Sequence, residues 1–417
     1  MLNKIAVIGS GISGISISRM LLDEEMDVTI FEKSDKKGGL IKCERINDNL
    51  FHKVGGHVFN SKNRKVLDWF WKYFDRDNEF LQAKRNAKVW LNNQYLGYPI
   101  ENFLFDLPKE TVSKIVKDLL NIEGKKGRYQ VENFEQFLLN KFGRTLYDLY
   151  FEPYNKKVWN CDLSQVPLQW LDGKLPVPDI ESILLSNILR EEESEMVHSV
   201  FFYPKEGGSQ FIIDRLSEGI DIKLNSDIKS IAKHSDKWII NGTEQFDAVV
   251  YCGDIRELHK ICQLSDTDQE LNDVKDLRSN GTSTMFCETD FTDISWLYIP
   301  EEVYKAHRIV YTGTFSPSNN RGSERITCIV EFAGIQELEL MRAEIKKLPG
   351  NLRELAYNFE PDSYVVHFQD TKEKINELRK KLEPQNLFLL GRFSEWEYYN
   401  MDNAIEKAME IKNEIIA

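Results

Sequence analysis

Gly9-Ser10-Gly11-Ile12-Ser13-Gly14 is the stretch that decides the fold of this 417-residue chain. It follows the apolar run Lys4–Ile8, and apolar residues recur at helical spacing from Ile12 to Leu22. Val28–Phe31 then has the composition of a second strand, and Glu32 ends it. A glycine-rich turn between a strand and a helix, with an acidic residue about 20 positions further on, is typical of a dinucleotide-binding domain.

The chemistry of such a site assigns a role to each of these residues. Gly9, Gly11 and Gly14 let the backbone approach a pyrophosphate, whose negative charge faces the N-terminus of the following helix. Glu32 can accept hydrogen bonds from a ribose. The alternative is a glycine turn and a solvated glutamate, and the strand–turn–helix context argues against it. We therefore predict a dinucleotide site that includes these four residues and the adjacent Lys33.

Composition limits the partners and the location of the chain. With 67 acidic residues against 54 basic ones, the net charge of −13 repels nucleic acid, so we expect no nucleic-acid partner. The six cysteines and seven histidines are scattered without metal-ligand spacing, so no metal site is predicted. No segment approaches the roughly 18–20 apolar residues of a membrane span, and no signal peptide precedes the first strand. A cytoplasmic protein is expected.

The chain is long enough for two or three structural units. Patterns at both ends predict an α/β fold with a discontinuous, Rossmann-like domain formed by residues 1–85, 200–262 and 384–417. The apolar pattern of residues 108–195 predicts an inserted helical domain, with helices near Thr111–Leu120 and Phe134–Phe142. Residues 86–107 and 263–383 predict an antiparallel, sheet-rich substrate domain. Further expected elements are strands at Lys88–Leu91, Ile228–Ile231, Lys237–Ile240, Ala248–Tyr251, Arg308–Tyr311, Ile326–Phe332 and Leu387–Leu390, and a final helix from about Asp402.

Two further motifs indicate that the dinucleotide is FAD. Lys37-Gly38-Gly39 resembles the second glycine element of the large FAD-binding family of oxidases and mutases, with a lysine where an arginine is common. Gly391-Arg392 before a terminal helix matches the same family; the alternative for Arg392 is a surface ion pair. The N-terminus of that helix would direct its partial positive charge at the flavin. Met401 and Asp402, at the start of that helix, are therefore predicted to bind the flavin, although Asp402 could instead cap the helix.

Several motifs occur in a fixed order and together resemble those of UDP-galactopyranose mutase. They are Gly55-Gly56-His57-Val58-Phe59, Tyr98-Pro99-Ile100-Glu101-Asn102, Glu152–Trp159, Trp296–Glu301 and Gly391–Tyr398. The resemblance covers essentially the whole chain and is closest to the eukaryotic-type branch of that family, although the ending Tyr398–Asp402 is nearer the bacterial pattern.

The resemblance implies an isomerase with no net redox change. In that family reduced FAD is the nucleophile: its N5 attacks the anomeric carbon of a nucleotide sugar, a flavin–sugar adduct forms, and a pyranose recloses as a furanose. It implies NADPH or NADH as the reductant, and a role in supplying galactofuranose for polysaccharide biosynthesis. Homo-oligomer formation stays open.

The resemblance also implies which residues form the site. Arg308 and Lys174 match the two cations that hold the diphosphate, although Lys174 replaces an arginine, and surface cations are the alternative. Tyr298 and Tyr398 match tyrosines that contact the diphosphate and sugar. Gly56 and His57 match residues beside the flavin ring, against the alternative of a structural histidine. Asn155 and Trp159 match a pair that lines the site, but an aromatic in a helical segment is as often part of the core.

The motif at Tyr98 departs from the family at the two positions after the proline. Ile100 and Glu101 stand where the family has an aromatic residue and a glutamine. A carboxylate only accepts hydrogen bonds, so Glu101 would suit the paired N–H donors of guanine, or a single N–H of uracil or thymine. The sugar nucleotide is therefore expected to be other than UDP-galactose, such as a dTDP- or GDP-sugar.

Two rival functions stay open. One is an FAD-dependent oxidoreductase of the amine oxidase or protoporphyrinogen oxidase type, which would transfer electrons stoichiometrically or produce peroxide. The other is a non-catalytic FAD-binding protein that has lost the diphosphate clamp.

Overall fold

A computed structural model describes residues 2–124, 131–168, 179–190, 199–264 and 267–417. The strands are β1 Lys4–Ile8, β2 Asp27–Phe31, β3 Cys43–Ile46, β4 Asn49–His52, β5 Phe80–Lys84, β6 Ala87–Leu91, β7 Gln94–Gly97, β8 Val200–Pro204, β9 Asp221–Lys223, β10 Ile231–His234, β11 Lys237–Ile240, β12 Glu244–Phe246, β13 Ala248–Tyr251, β14 Cys262–Gln263, β15 Arg278–Thr289, β16 Trp296–Tyr298, β17 Ala306–Val310, β18 Ile326–Ala333, β19 Arg353–Val366 and β20 Leu387–Leu389. The α-helices are α1 Ile12–Asp23, α2 Arg64–Phe70, α3 Arg76–Glu79, α4 Lys109–Glu123, α5 Phe134–Leu146, α6 Glu152–Trp159, α7 Ile180–Leu189, α8 Ser209–Leu216, α9 Ile255–Ile261, α10 Asp268–Val274, α11 Leu338–Ile345, α12 Thr371–Leu382 and α13 Met401–Ile416.

A five-stranded parallel sheet in the order β20-β13-β1-β2-β9 forms the first core. Its central strand β1 is buried almost throughout, and Ile5 pairs with Val28 on one side and with Ala248 on the other. Near-continuous apolar strands are what a parallel sheet covered on both faces requires. Helices α1 and α13 contribute to the cluster on one face, where Ile15, Ile17 and Ile405 are fully buried.

A seven-stranded sheet in the order β19-β15-β18-β17-β16-β6-β7 forms the second core. Its pairings are antiparallel except between β16 and β6, which run parallel. The pair β16–β6 joins segments about 200 residues apart in the chain, and this pairing brings residues 86–107 into the sheet.

The described helices that lie between β7 and β8 in the chain pack through amphipathic faces. Ile115 and Leu119 of α4 are fully buried in the same cluster as Phe134 and Leu138 of α5. Two buried positions four residues apart lie on one helix face, as the 3.6-residue period requires. No helix in the described ranges is both long and apolar enough to cross a membrane.

The α/β class with a Rossmann-like sheet is confirmed, and most predicted elements have the expected type. The strand predicted at Ile228–Ile231 is wrong, because β10 begins only at Ile231. The amide groups of Lys229 and Ser230 donate to the side chain of Asn241 at 2.7 and 3.3 Å. This segment therefore satisfies those hydrogen bonds with a side chain, where a strand would use a neighbouring strand.

Candidate functional site

One continuous cavity of about 1680 Å³ runs from the carboxyl ends of the parallel strands to the second sheet. Its wall includes the loop Gly9–Gly14 at one end and Tyr298 and Arg308 at the other. Ligand pockets typically measure about 300–1,000 Å³. The cavity therefore has room for a dinucleotide together with a second ligand.

The first glycine loop is shaped by close backbone contacts. Gly9 has a positive φ of 104°, and a Cβ atom at Gly14 would collide with the Gly9 carbonyl oxygen. At Gly11 the nearest neighbour of such a Cβ would be the Gly39 Cα at 3.8 Å. Gly14 is thus needed for packing, whereas the space beside Gly11 is free for a ligand that approaches the N-terminus of α1.

Glu32 is held ionised by four hydrogen bonds from two serines. Ser10 donates its N–H at 2.9 Å and its hydroxyl at 2.6 Å, and Ser34 donates the same two groups at 2.9 and 2.8 Å. Burial alone would raise the pKa of the Glu32 carboxyl, but these bonds lower it. Glu32 lines the cavity as predicted for a ribose ligand. A ribose would have to replace one of the serine hydroxyls, because a carboxylate has about four acceptor sites.

The second glycine element packs directly against the first. The Gly38 amide donates to the Ser10 carbonyl at 2.9 Å, and a Cβ at Gly39 would lie 3.0 Å from the Gly11 Cα. Gly38, Gly39 and Lys33 all line the cavity. The paired glycines therefore let the two loops close around one end of the cavity.

The C-terminal segment forms another part of the wall. Gly391, Arg392 and Met401 line it, but Asp402 does not. Arg392 donates to the carbonyl oxygens of Ser363 and Tyr399 at 2.8 and 2.7 Å, so the alternative of a surface ion pair is wrong.

Asp402 lies in the first turn of α13, and the helix is preceded by Asn400. Asn400 occupies the N-cap position, whereas Asp402 accepts backbone N–H groups of the first turn and so contributes to capping. Its carboxyl accepts a hydrogen bond from Ser61, and burial raises its pKa.

His57 faces the cavity from a loop with tight neighbours. A Cβ at Gly56 would overlap Val310, so only glycine fits there. Burial lowers the pKa of His57 well below its ordinary value, and nearby His52, Arg392 and Arg308 lower it further. The imidazole is therefore neutral, and within the described residues its buried Nε2 has no hydrogen-bond partner. An unpaired polar atom on a cavity wall is what a polar cofactor would satisfy.

Arg308 is fixed by a carboxylate that sequence reasoning missed. Glu331, which is fully buried, accepts from Arg308 Nε at 2.5 Å and from the Gly55 amide at 2.6 Å. Burial would lower the pKa of Arg308, but Glu331 and nearby tyrosines raise it well above its ordinary value. Tyr364 accepts a further bond from Arg308 at 3.1 Å. One carboxylate thus connects this arginine to the loop that carries His57.

Aromatic rings complete the wall around Arg308. Tyr98 and Tyr298 stack with their ring centres 4.6 Å apart, and Tyr398 stacks on Tyr364 at 5.9 Å. All four rings line the cavity. Arg85, which sequence reasoning also missed, lines it beside them.

Four predicted substrate residues lie outside the cavity wall. Ile100 and Glu101 are buried, and the Glu101 carbonyl accepts a bond from Asn187 at 2.7 Å. Asn155 accepts from the Trp159 indole at 3.3 Å, and that indole belongs to the apolar core. Lys174 lies outside the described residues.

The residues present fit FAD. Glycine backbones and a helix N-terminus face the cavity at one end, an acidic side chain follows the second strand, and the neutral His57 imidazole has an unpaired nitrogen further along. Among the described residues, no three or more His, Cys, Asp or Glu side chains form a group that could hold a metal ion.

Comparisons with known proteins identify the family of the chain and relatives that share its fold. A profile of the family described as flavin containing amine oxidoreductase matches residues 12–297. A UDP-galactopyranose mutase from Mycoplasma genitalium is 22% identical over 96% of this chain and 92% of its own length. A dTDP-fucopyranose mutase from Escherichia coli is 28% identical over 42% of this chain and 46% of its own.

A solved structure titled as reduced UDP-galactopyranose mutase superposes with a TM-score of 0.88. It is 19% identical and covers 99% of this chain and 95% of its own, so it shows a shared fold. The resemblance to UDP-galactopyranose mutases that the ordered motifs indicate is confirmed.

Proposed function

This chain belongs to the family of flavin-containing amine oxidoreductases, and within that family we propose that it is an isomerase. The reaction proposed is the interconversion of the pyranose and furanose forms of a nucleotide sugar, with FAD as the cofactor and NADPH or NADH as the reductant. The mutases to which it is similar support this choice.

The observation that carries the proposal is the charge of the cavity wall beyond the glycine loops. Arg85, Arg308 and Arg392 all face the cavity. A guanidinium binds phosphate oxygens through two parallel N–H donors, so this wall suits a nucleoside diphosphate.

The residues that would hold FAD are those of the two glycine loops, Glu32 and the His57 loop. The N-terminus of α1 would face the pyrophosphate, and Met401 at the start of α13 would lie beside the flavin. When bound and reduced, the flavin would supply a nucleophilic N5 for the anomeric carbon, so that the sugar can reclose in a smaller ring without net electron transfer.

The protein's own groups would position the diphosphate while it leaves and returns. Arg308 would bind it, since Glu331 fixes its guanidinium and keeps it charged. Tyr298 and Tyr398 would contact the diphosphate and the sugar. The neutral His57 would offer a hydrogen-bonding nitrogen without adding a charge near the reacting centre.

Turnover under anaerobic conditions tests the proposal. Protein reduced with dithionite is incubated with UDP-galactopyranose, dTDP-fucopyranose and a GDP-sugar, and the nucleotide sugars are separated by chromatography and weighed by mass spectrometry. We expect a new peak of unchanged mass with reduced protein and none with oxidised protein. The same series identifies the nucleotide, and parallel reductions with NADPH and NADH identify the reductant.

The same protein preparation distinguishes the mutase from the rival oxidoreductase. Oxygen consumption and peroxide formation in the presence of amines, without any isomerised sugar, would refute the mutase. Arg308→Ala should abolish most of the isomerisation while the bound flavin stays, as judged from its absorbance. Arg144→Ala, on the exposed side of α5, is the matched control.

A further inference from the structure

Two neighbouring strands of the seven-stranded sheet, and the segment just before a third strand, contribute side chains to the cavity wall. Tyr298 of β16 pairs with Arg308 of β17 on one side and with Val89 of β6 on the other. Arg85 lies in the link between β5 and β6, two residues before β6 begins, and its contacts place it beside Tyr298. Arg308 and Arg85 both lie next to Tyr298 at the cavity wall, Arg308 as its strand partner and Arg85 as a hydrogen-bond donor to its hydroxyl.

Aromatic rings hold the Arg85 guanidinium in place. Its central carbon lies 5.0 Å from the ring centre of Trp296, 5.2 Å from that of Tyr98 and 5.9 Å from that of Tyr298. Arg85 also donates a hydrogen bond to the Tyr298 hydroxyl. Stacked rings orient a guanidinium through its planar face and leave its positive charge in place.

The charges around this wall favour an anionic ligand. Burial would lower the pKa of Arg85, but Tyr298 and Tyr98 raise it, and Arg308 acts on it as a like charge. Arg308 is offset by Glu331. Two guanidinium groups that face one cavity repel each other, and a ligand with two negative charges between them would remove that repulsion.

We propose that Arg85 is a further substrate-binding cation, which binds the diphosphate of the nucleotide sugar together with Arg308, beside Tyr298. This inference rests on the proposed function. The N–H donors of Arg85 contact the phosphate oxygens directly, and the aromatic rings orient these donors.

Binding to the oxidised, flavin-loaded protein tests this assignment without turnover. Calorimetry with UDP, dTDP and GDP measures binding of a nucleoside diphosphate, and ligand-observed NMR with uridine measures binding of the base and ribose alone. Arg85→Gln should weaken nucleoside diphosphate binding by about 10- to 100-fold and leave uridine binding and flavin content unchanged. Arg85→Lys keeps the charge and should recover part of the affinity. Arg76→Gln is the matched control, because Arg76 also lies over two aromatic rings but not at the cavity.

Two results would overturn the assignment. Wild-type affinity for these diphosphates in Arg85→Gln would show that Arg85 does not contact them. An equal loss for uridine, or a loss of flavin, would show that it only supports the aromatic wall. A wild-type protein that isomerises no nucleotide sugar but shows the expected Arg85 effect would refute the proposed reaction while supporting the clamp. If the wild type binds none of UDP, dTDP and GDP, both proposals fail.

Discussion

Replacing Glu331 by glutamine removes a buried negative charge that faces Arg308. The side chain is fully buried and its partner is only 15% exposed, so little water can replace the lost interaction. Arginine does not release its proton in proteins, and its charge would therefore stay buried and uncompensated. Removal of one partner from a buried ion pair costs about 3–5 kcal/mol. The glutamine oxygen can still accept the Gly55 amide, so that bond adds little to the loss.

Urea unfolding followed by tryptophan fluorescence measures this cost as a change in the free energy of unfolding. Glu331→Gln should lose about 3–5 kcal/mol, whereas the double variant Glu331→Gln/Arg308→Met should recover most of it, because replacing both partners by uncharged groups is often nearly neutral. UDP should stabilise the single variant more than the wild type, since its phosphates would supply the missing counter-charge. A loss below about 1 kcal/mol, or a double variant less stable than the single one, would refute the reasoning.

Three further predictions concern the glycine loop, pH and the base. Gly11→Ala should abolish flavin retention while the free energy of unfolding of the apoprotein stays near that of wild type, because the new methyl group occupies only space that a ligand would fill. Gly14→Ala should reduce both flavin retention and the free energy of unfolding, because its methyl group collides with Gly9. Flavin absorbance measures the first quantity and urea unfolding measures the second. Burial lowers the folded-state pKa of His307, so below pH ~6.5 the unfolded chain binds a proton that the folded chain does not. The free energy of unfolding should therefore fall by up to about 1.4 kcal/mol for each pH unit below that value. His307→Asn should show a smaller dependence of the free energy of unfolding on pH, and an unchanged dependence would contradict the prediction. Glu101→Gln should leave the relative affinities for UDP, dTDP and GDP unchanged, because Glu101 does not line the cavity; altered preference in calorimetry would mean that the carboxylate reaches the base.

The parallel sheet and its glycine loop could be predicted because their signals are local. Lys4–Ile8, the glycine stretch and Glu32 lie within one short segment, and each supports the same interpretation. The structure confirms the strand bounds there and at Ala248–Tyr251. Ile228 had the same apolar character but lies in a loop, where side-chain hydrogen bonds outweigh strand propensity.

The wall around Arg308 could be predicted only in part. Arg85 lies just before β6 and reaches the wall because β6 pairs with β16, and no local pattern reveals a pairing between segments so far apart. Glu331 did leave a signal, since it is a charged residue inside the apolar run Ile326–Phe332, which is unusual unless the charge is paired. Trp159 shows the opposite case: its aromatic character matched a site residue, but its surroundings are core.

The position of β1 at the centre of the parallel sheet sets the order in which this molecule can be assembled on the ribosome. One of its neighbours, β13, is synthesised about 240 residues after it, which corresponds to on the order of 10 to 50 s of elongation. Throughout that interval one edge of an almost wholly apolar strand lacks its native partner, which is a hazard for aggregation. The cavity wall also needs residues 391–404. The cofactor can therefore enter its complete site only after residue 404 has been synthesised.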